Sequence, residues 1–374
     1  MKHTFYNVGH GDTIFIKLDD NEKRLIIRDM GCYSSVFSNK GMQAALNDLD
    51  QYIASDFVID VIISHAHIDH YKGLKKLYDD GKRKIFRNTY IPYLTGSNRD
   101  NLLWSVFVIS VGMYLYLPAY SYYSNYYAKA KNWLLLAPIM ADLSVQVIGV
   151  SNASGGLNLG GANLDFLWPS EHCFCSLSSK QLCIFVRELF ANEDFNDDGF
   201  QNFCNELHSQ IAQCFKDDRV EDYTSEGLHT EYTLDILRTL EEKRKQVRKS
   251  SNAAFFIESL EKNNLFESYE LCVDDHSIVF NISEEALYLS DLHENAMDEM
   301  FKQCGSRIAS QYPLLKSAHH GTRICNDLKT KRFSKIIHCC GKGNSGYGRP
   351  IKDYNQMSST VVYMDAINAS KKTF

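Results

Sequence analysis

The chain has 374 residues, a hydrophobic fraction of 44% and a formal net charge of −6. The length accommodates one large core with insertions or two domains, and the composition is normal for a globular protein. The negative charge argues against a protein that coats nucleic acid along its whole surface. Eleven scattered cysteines and no apolar leader predict reduced thiols and a cytoplasmic protein.

Two strands near the start of the chain are each joined to a turn that combines glycine with a carboxylate. The turn over residues 7–12 ends in Gly11-Asp12 and leads into a strand predicted over residues 13–18. A second apolar strand begins at Arg24 and ends in Arg28-Asp29-Met30-Gly31. Both turns therefore place a carboxylate at the end of a predicted strand.

A histidine-rich turn follows the strand predicted over residues 58–63. It places four metal-ligand side chains within six positions: His65, His67, Asp69 and His70. Side chains alternate along an extended segment, so His65 and His67 face the same way and can share one tetrahedral ion. If a helix follows, Asp69 and His70 project into a neighbouring space, and the turn serves two adjacent metal sites. The alternatives are a histidine-rich surface loop and a structural zinc clip.

The first predicted insertion covers residues 99–142. Residues 101–128 contain no charged side chain, and the apolar run over 102–117 raises the question of a membrane span. The run is short for the roughly 20 residues that a span needs, and it ends at Pro118. We therefore expect no stable membrane insertion, but a buried helix pair or a homodimer or protein-partner contact through residues 102–127.

The second predicted insertion covers residues 176–265 and has apolar residues at helical spacing. The run from Lys243 to Lys249 is the densest positive charge in the chain. It is consistent with binding to a phosphate backbone, and equally with a solvated helix end that complements the helix dipole.

A two-metal site needs more ligands than one turn supplies, and three further segments offer them. A strand predicted over residues 286–290 ends in Asp291, and another leads into the pair His319 and His320 before a glycine. His276 stands at the start of a strand that would pair with the Asp291 strand as a hairpin. It is a candidate ligand or an ordinary histidine.

These motifs, in this order, resemble those of the metallo-β-lactamase-fold hydrolases. They are most similar to the soluble hydrolase domain of ComEC-type DNA-uptake proteins, which also begins with a Val-Gly-x-Gly-Asp turn, here residues 8–12, followed by Asp-x-Gly, here residues 29–31. Residues 341–350 resemble the terminal signature of that family. The resemblance implies an α/β fold, an αββα sandwich of two mixed sheets flanked by helices. It would form a single domain over residues 1–374 that carries the two mainly helical insertions.

The resemblance also implies roles for individual residues. Asp12 and Asp29 would not bind metal but would orient the residues that do. Asp291 would bridge two divalent metal ions, zinc or alternatively manganese. His65, His67 and His276 would bind one ion, and Asp69, His70 and either His319 or His320 the other. The expected catalytic residues are Asp69, Asp291, His320 and Lys316, and the expected substrate-binding residues are Lys342, Asn344 and Arg349.

Three departures from the family pattern are Asn7 for aspartate, the loss of the family's glycine before Asp291, where the chain reads Leu289-Ser290-Asp291, and Arg349 for the terminal histidine. Arg349 could bind a phosphate oxygen or stand in a solvated turn. The expected function is a metal-dependent phosphodiesterase or nuclease that acts on DNA or RNA. The alternatives are hydrolysis of a small phosphoester, nucleotide or lactone, and a non-catalytic binding or assembly module with a structural metal.

Overall fold

Two compact units make up the chain in a computed structural model. The model describes residues 1–19, 22–92, 102–119, 121–170, 177–192, 195, 199–215, 231–247, 252–340, 350–364 and 369–374. The first unit contains residues 1–92, 149–174 and 274–374, and the second contains residues 93–148 and 175–273. The two segments predicted as insertions thus contribute to the second unit.

The first sheet has seven strands: β1 (Lys2–Tyr6), β2 (Thr13–Lys17), β3 (Arg24–Met30), β4 (Val58–Ile62), β5 (Phe86–Pro92), β6 (Ser144–Val150) and β14 (Lys371–Thr373). Their order is β14-β1-β2-β3-β4-β5-β6. The helices α1 (Lys40–Ala54) and α2 (Ile68–Asp79) pack against β1 and β3. β3 is buried over six of its seven residues, and two of the buried residues, Arg28 and Asp29, are charged.

The second sheet also has seven strands: β7 (Gly156–Leu159), β8 (Ala162–Trp168), β9 (Val279–Ile282), β10 (Ala286–Tyr288), β11 (Gln311–Lys316), β12 (Arg332–His338) and β13 (Val361–Tyr363). Their order is β13-β12-β11-β10-β9-β8-β7. The helix α10 (Glu294–Cys304) packs against β8, and two short helices, α11 (Asn326–Lys329) and α12 (Tyr354–Met357), complete the unit. The prediction of an α/β fold with two mixed sheets is confirmed.

Both sheets change from antiparallel to parallel pairing at an equivalent strand. β2 pairs antiparallel with β3, and β3 parallel with β4; β9 pairs antiparallel with β10, and β10 parallel with β11. The carboxyl ends of parallel neighbours meet at the same edge of a sheet. The turns that follow β3 and β4 therefore lie together, and so do those that follow β10 and β11.

The two sheets contact each other through buried side chains. The ring of Tyr90 on β5 lies 5.7 Å from that of Phe166 on β8, and the Nδ1 atom of His3 on β1 hydrogen-bonds the hydroxyl of Tyr288 on β10. Arg28 Nη2 donates to the carbonyl of Leu289 at 3.2 Å. These contacts bring the ends of β3 and β10 to one place.

The second unit contains the helices α3 (Leu102–Tyr116), α4 (Ser124–Leu143), α5 (Leu177–Ala191), α6 (Phe200–Ala212), α7 (Tyr232–Val247) and α8 (Asn252–Lys262), and most of α9 (Leu265–Asp275). Every residue of α3 except Leu103 is buried, and α4, α5, α7 and α8 surround it. No helix in the described part of the chain has both the length and the apolarity to cross a bilayer. A partner contact through residues 102–127 would have to use residues beyond α3.

The burial of His3 predicts acid sensitivity of the first unit. Burial lowers the pKa of His3 to about 4, from 6.5. Because the unfolded chain then binds the proton first, the contribution of His3 to stability is complete above pH 6.5 and is lost as the pH falls towards 4. The free energy of unfolding by urea should therefore fall more steeply with acidification in the wild type than in His3→Gln, by roughly 2–3 kcal/mol between pH 7 and pH 4. Parallel pH profiles would contradict this.

Candidate metal centre

The histidine-rich turn joins β4 to α2, and hydrogen bonds to Asp29 hold it in place. Because β3 and β4 are parallel, Asp29 lies beside Ser64, and its Oδ1 and Oδ2 accept hydrogen bonds from Ser64 N at 2.7 Å and Ser64 Oγ at 2.8 Å. His70 Nδ1 lies 3.0 Å from Asp29 Oδ2. This contact occupies one nitrogen of His70 and leaves Nε2 for a ligand, an arrangement typical of metal-binding histidines.

A first group of ligand atoms comes from His65, His67 and Asp274. His67 Nδ1 lies 3.0 Å from His65 Nε2 and 3.1 Å from Asp274 Oδ1, and the two outer atoms are 3.9 Å apart. Around a tetrahedral zinc ion with bonds of about 2.0–2.2 Å, neighbouring ligand atoms lie about 3.3–3.6 Å apart. Small adjustments would therefore allow these three atoms to share one ion.

A second group comes from Asp69, His70 and His320. Asp69 Oδ2 lies 3.7 Å from His70 Nε2 and 3.6 Å from His320 Nε2. Asp291 Oδ2 lies 3.4 Å from His70 Nε2 and 3.9 Å from His65 Nε2. Among the described carboxylates outside the two groups, Asp291 lies within 4 Å of both, which is the position expected of a bridging ligand.

The structure brings Asp274, not His276, to the first group. Asp274 lies in the last turn of α9, and β9 begins only at Val279, so the strand predicted to start with His276 begins later. Ile278 N donates to Ser64 O at 2.8 Å and ties this segment to the histidine-rich turn. His276 is buried, but it belongs to none of the ligand groups found among the described residues.

The turn after β11 separates the roles of the two adjacent histidines. His319 and His320 both have left-handed backbones, with φ of 40° and 57°. His320 joins the second group, whereas His319 Nδ1 contacts Thr322 Oγ1 at 2.7 Å and its Nε2 lies 3.9 Å from Asp291 Oδ2. Gly321 has φ +93°, and a Cβ there would lie 2.3 Å from a ring atom of His338. Only glycine fits this turn.

A fully buried ion cluster lies behind the ligands. Arg28 Nη1 and Lys316 Nζ each lie 2.5 Å from Asp12 Oδ2, and none of the three side chains is exposed. Burial opposes ionisation of Asp12, but Lys316 and Arg28 outweigh it and hold the pKa of the carboxyl below its usual range. Lys316, predicted to be catalytic, is instead positioned as the partner of Asp12, since it has no surface to offer a substrate.

Three of the predicted site residues, Lys342, Asn344 and Arg349, lie outside the described residues. Sequence reasoning also missed two groups at the edge of the first ligand set. Arg323 Nη1 donates to Asp274 Oδ2 at 3.1 Å, and His293 Nδ1 lies 3.0 Å from Asp275 Oδ1. The only available signals were the position of Arg323 just after the His-His-Gly turn and that of His293 just after Asp291.

The donor set fits a divalent cation. His70 Nε2, Asp274 Oδ1 and Asp291 Oδ1 are buried and make no hydrogen bond to the described residues. Each buried polar atom without a hydrogen bond lowers the stability of the fold by about 1–3 kcal/mol. A bound cation would compensate for this loss. A mixture of imidazole and carboxylate donors suits zinc and also manganese.

Protons compete with a cation for these ligands. Burial disfavours the imidazolium of His70, but Asp291, Asp69 and Asp29 outweigh it and raise the pKa of His70 well above 6.5. Burial is likewise outweighed at His320, chiefly by Asp69 and Asp291, and its pKa is raised. A cation must therefore displace protons from both histidines.

Zinc binding is predicted to release protons and to weaken as the pH falls. At pH 7 we expect the enthalpy of zinc binding to vary with the ionisation enthalpy of the buffer, and Kd to rise by about tenfold per pH unit for each displaced proton. Isothermal titration calorimetry in several buffers measures both quantities. His70→Gln should release fewer protons, whereas the matched His276→Gln variant should behave as the wild type. Buffer-independent enthalpies would contradict the ligand assignment, and loss of zinc affinity in His276→Gln would restore His276 as a ligand.

Comparisons with known proteins add no family to this picture. Searches against protein-family models, curated proteins and solved structures gave no match to the chain. The functional interpretation therefore depends on the geometry of the site itself.

Proposed function

We propose that the protein is a hydrolase that uses two divalent metal ions, with a metallo-β-lactamase type of fold. The observation that carries the proposal is the pair of adjacent ligand groups joined by Asp291. The equivalent pairing order of the two seven-stranded sheets supports the same class, since all of these ligands except Asp274 follow strands at equivalent positions in the two sheets. Structural zinc sites usually close with four dedicated ligands, often cysteines, and this donor set contains no cysteine.

The proposed reaction is hydrolysis of a phosphodiester, with DNA or RNA as the first substrate to test. When bound, two divalent ions supply Lewis acidity that activates water and polarises a phosphoryl oxygen. In this chain Asp291 would connect the two ligand groups, and Asp29 would fix the orientation of His70 through Nδ1. His319, whose Nε2 lies 3.9 Å from Asp291 Oδ2 and which belongs to neither ligand group, would hydrogen-bond the substrate or the leaving group.

Three lysines of α2 follow the histidine-rich turn, but they offer little support for a positively charged groove that would attract nucleic acid. Lys75 pairs with Asp79 and Lys76 with Asp80, each at 2.5 Å, and Lys72 Nζ donates to the backbone carbonyls of residues 33 and 34. Neutralised pairs contribute little to the field that attracts a polyanion. Selection of a phosphodiester would therefore depend on groups at the metal centre itself.

Hydrolysis should require both the metals and Asp69. Protein loaded with zinc or manganese is expected to cleave end-labelled DNA or RNA, and removal of the metals with a chelator should abolish this activity. Asp69→Ala should lower kcat/KM by more than about 100-fold, because even the outer partners of metal ligands cost 10- to 100-fold. The matched control is Asp50→Ala, which removes an exposed carboxylate from α1.

Initial rates on single- and double-stranded DNA, RNA, a generic phosphodiester and a lactone measure the preference. Turnover of small esters without cleavage of polymers would replace the nucleic-acid substrate by a small one. Undiminished cleavage by Asp69→Ala, or no hydrolysis of any ester by the metal-loaded protein, would refute the proposed function.

A further inference from the structure

Arg323 is a permanently charged side chain that lies beside the candidate metal centre and is held there by hydrogen bonds. It follows the turn that carries His319 and His320. Its backbone oxygen accepts a hydrogen bond from the Tyr354 hydroxyl at 2.6 Å, and the same hydroxyl accepts one from Ala318 N at 3.3 Å. The arginine and the histidine-bearing turn are thereby held by one tyrosine.

The guanidinium of Arg323 uses one of its nitrogens to hold the site. Nη1 donates to Asp274 Oδ2 at 3.1 Å and to the backbone oxygen of Asp291. Among the described residues, Nε and Nη2 have no hydrogen-bond partner, and the side chain is 18% exposed. Nε and Nη2 of Arg323 are therefore available to donate hydrogen bonds to a substrate, next to the candidate metal ligands Asp274 and Asp291.

The other two permanent cations of this centre cannot meet a substrate. Arg28 and Lys316 have no exposed surface and both pair with Asp12. Arg323 is therefore the one cation of these three that solvent reaches. A guanidinium is planar, carries several donors and stays charged at any physiological pH, and these properties suit it to the oxygens of a phosphate.

We propose that Arg323 binds a non-bridging oxygen of the substrate phosphate and makes the centre selective for anionic phosphodiesters over neutral esters. The inference deepens the proposed function, because it names the group that recognises the substrate class. A purely structural role, in which Arg323 only holds Asp274 in place, would affect all substrates equally.

The test compares Arg323→Gln and Arg323→Lys with the wild type, all loaded with zinc. The matched control is Arg332→Gln, since Arg332 is an exposed arginine of the same unit whose Nη1 contacts only backbone carbonyls. Three quantities are measured: the zinc content, the Kd for inorganic phosphate, and kcat/KM for bis(p-nitrophenyl) phosphate and for the neutral ester p-nitrophenyl acetate.

Arg323→Gln should weaken phosphate binding and lower kcat/KM for the anionic ester by about 10- to 100-fold, the value of one hydrogen bond to a charged group. Because Arg323 also hydrogen-bonds the candidate ligand Asp274, both esters should lose the part of kcat/KM that depends on this contact, but at saturating zinc the neutral ester should lose about tenfold less than the anionic one. Arg323→Lys, which keeps the charge but not the planar donor set, should fall between the wild type and the glutamine variant. Arg332→Gln should match the wild type.

Equal losses on both esters, or unchanged phosphate affinity, would overturn the proposal. If Arg323→Gln loses zinc, the comparison is made with Arg323→Lys. Equal losses of kcat/KM on both esters in Arg323→Lys would then assign Arg323 a structural role only. Weaker phosphate binding in Arg323→Gln, in a protein that hydrolyses no ester, would keep the phosphate contact and refute the proposed function.

Discussion

A surplus of negative charge at one edge of the two sheets is the constraint on which this site depends. In the described part of the chain, the carboxylates of Asp12, Asp29, Asp69, Asp274 and Asp291 gather there, together with the permanent cations Arg28, Lys316 and Arg323. Buried charge is tolerated only where it is paired or binds a metal. Asp291, Asp69 and Asp29 outweigh the burial of His70 and raise its pKa, and the same carboxylates would favour divalent cations at the proposed centre.

Sheet topology explains why the ligands converge although they lie far apart in the sequence. The parallel pairs β3–β4 and β10–β11 direct their carboxyl ends to one edge in each sheet, and the Arg28 contact with Leu289 O joins those edges. Most of the candidate ligands lie in the turns at these ends, and positive φ occurs there at His320 and, near the end of β3, at Asp29. Asp274 comes from the last turn of α9, whereas the other candidate ligands of the two groups and Asp291 lie in the segments that follow β4, β10 and β11.

The sequence predicted the elements that carry a strong local signal. The strands before the histidine-rich turn and before Asp291 follow from their apolar runs, and the mostly apolar, uncharged sequence of α3 predicts a buried helix. The choice between Asp274 and His276 depends on where α9 ends, which no local pattern determines. The burial of Lys316 and the place of Arg323 depend on contacts between distant segments, so sequence alone could not reveal either.

Metal stoichiometry tests the central claim most directly. After equilibrium dialysis against zinc, elemental analysis should find two ions per chain in the wild type. It should find one in His67→Ala, which removes a ligand of the first group only, and one in His320→Ala, which removes a ligand of the second group only. Absence of bound metal in the correctly folded wild type, or two ions per chain in both variants, would contradict a centre built from these two groups.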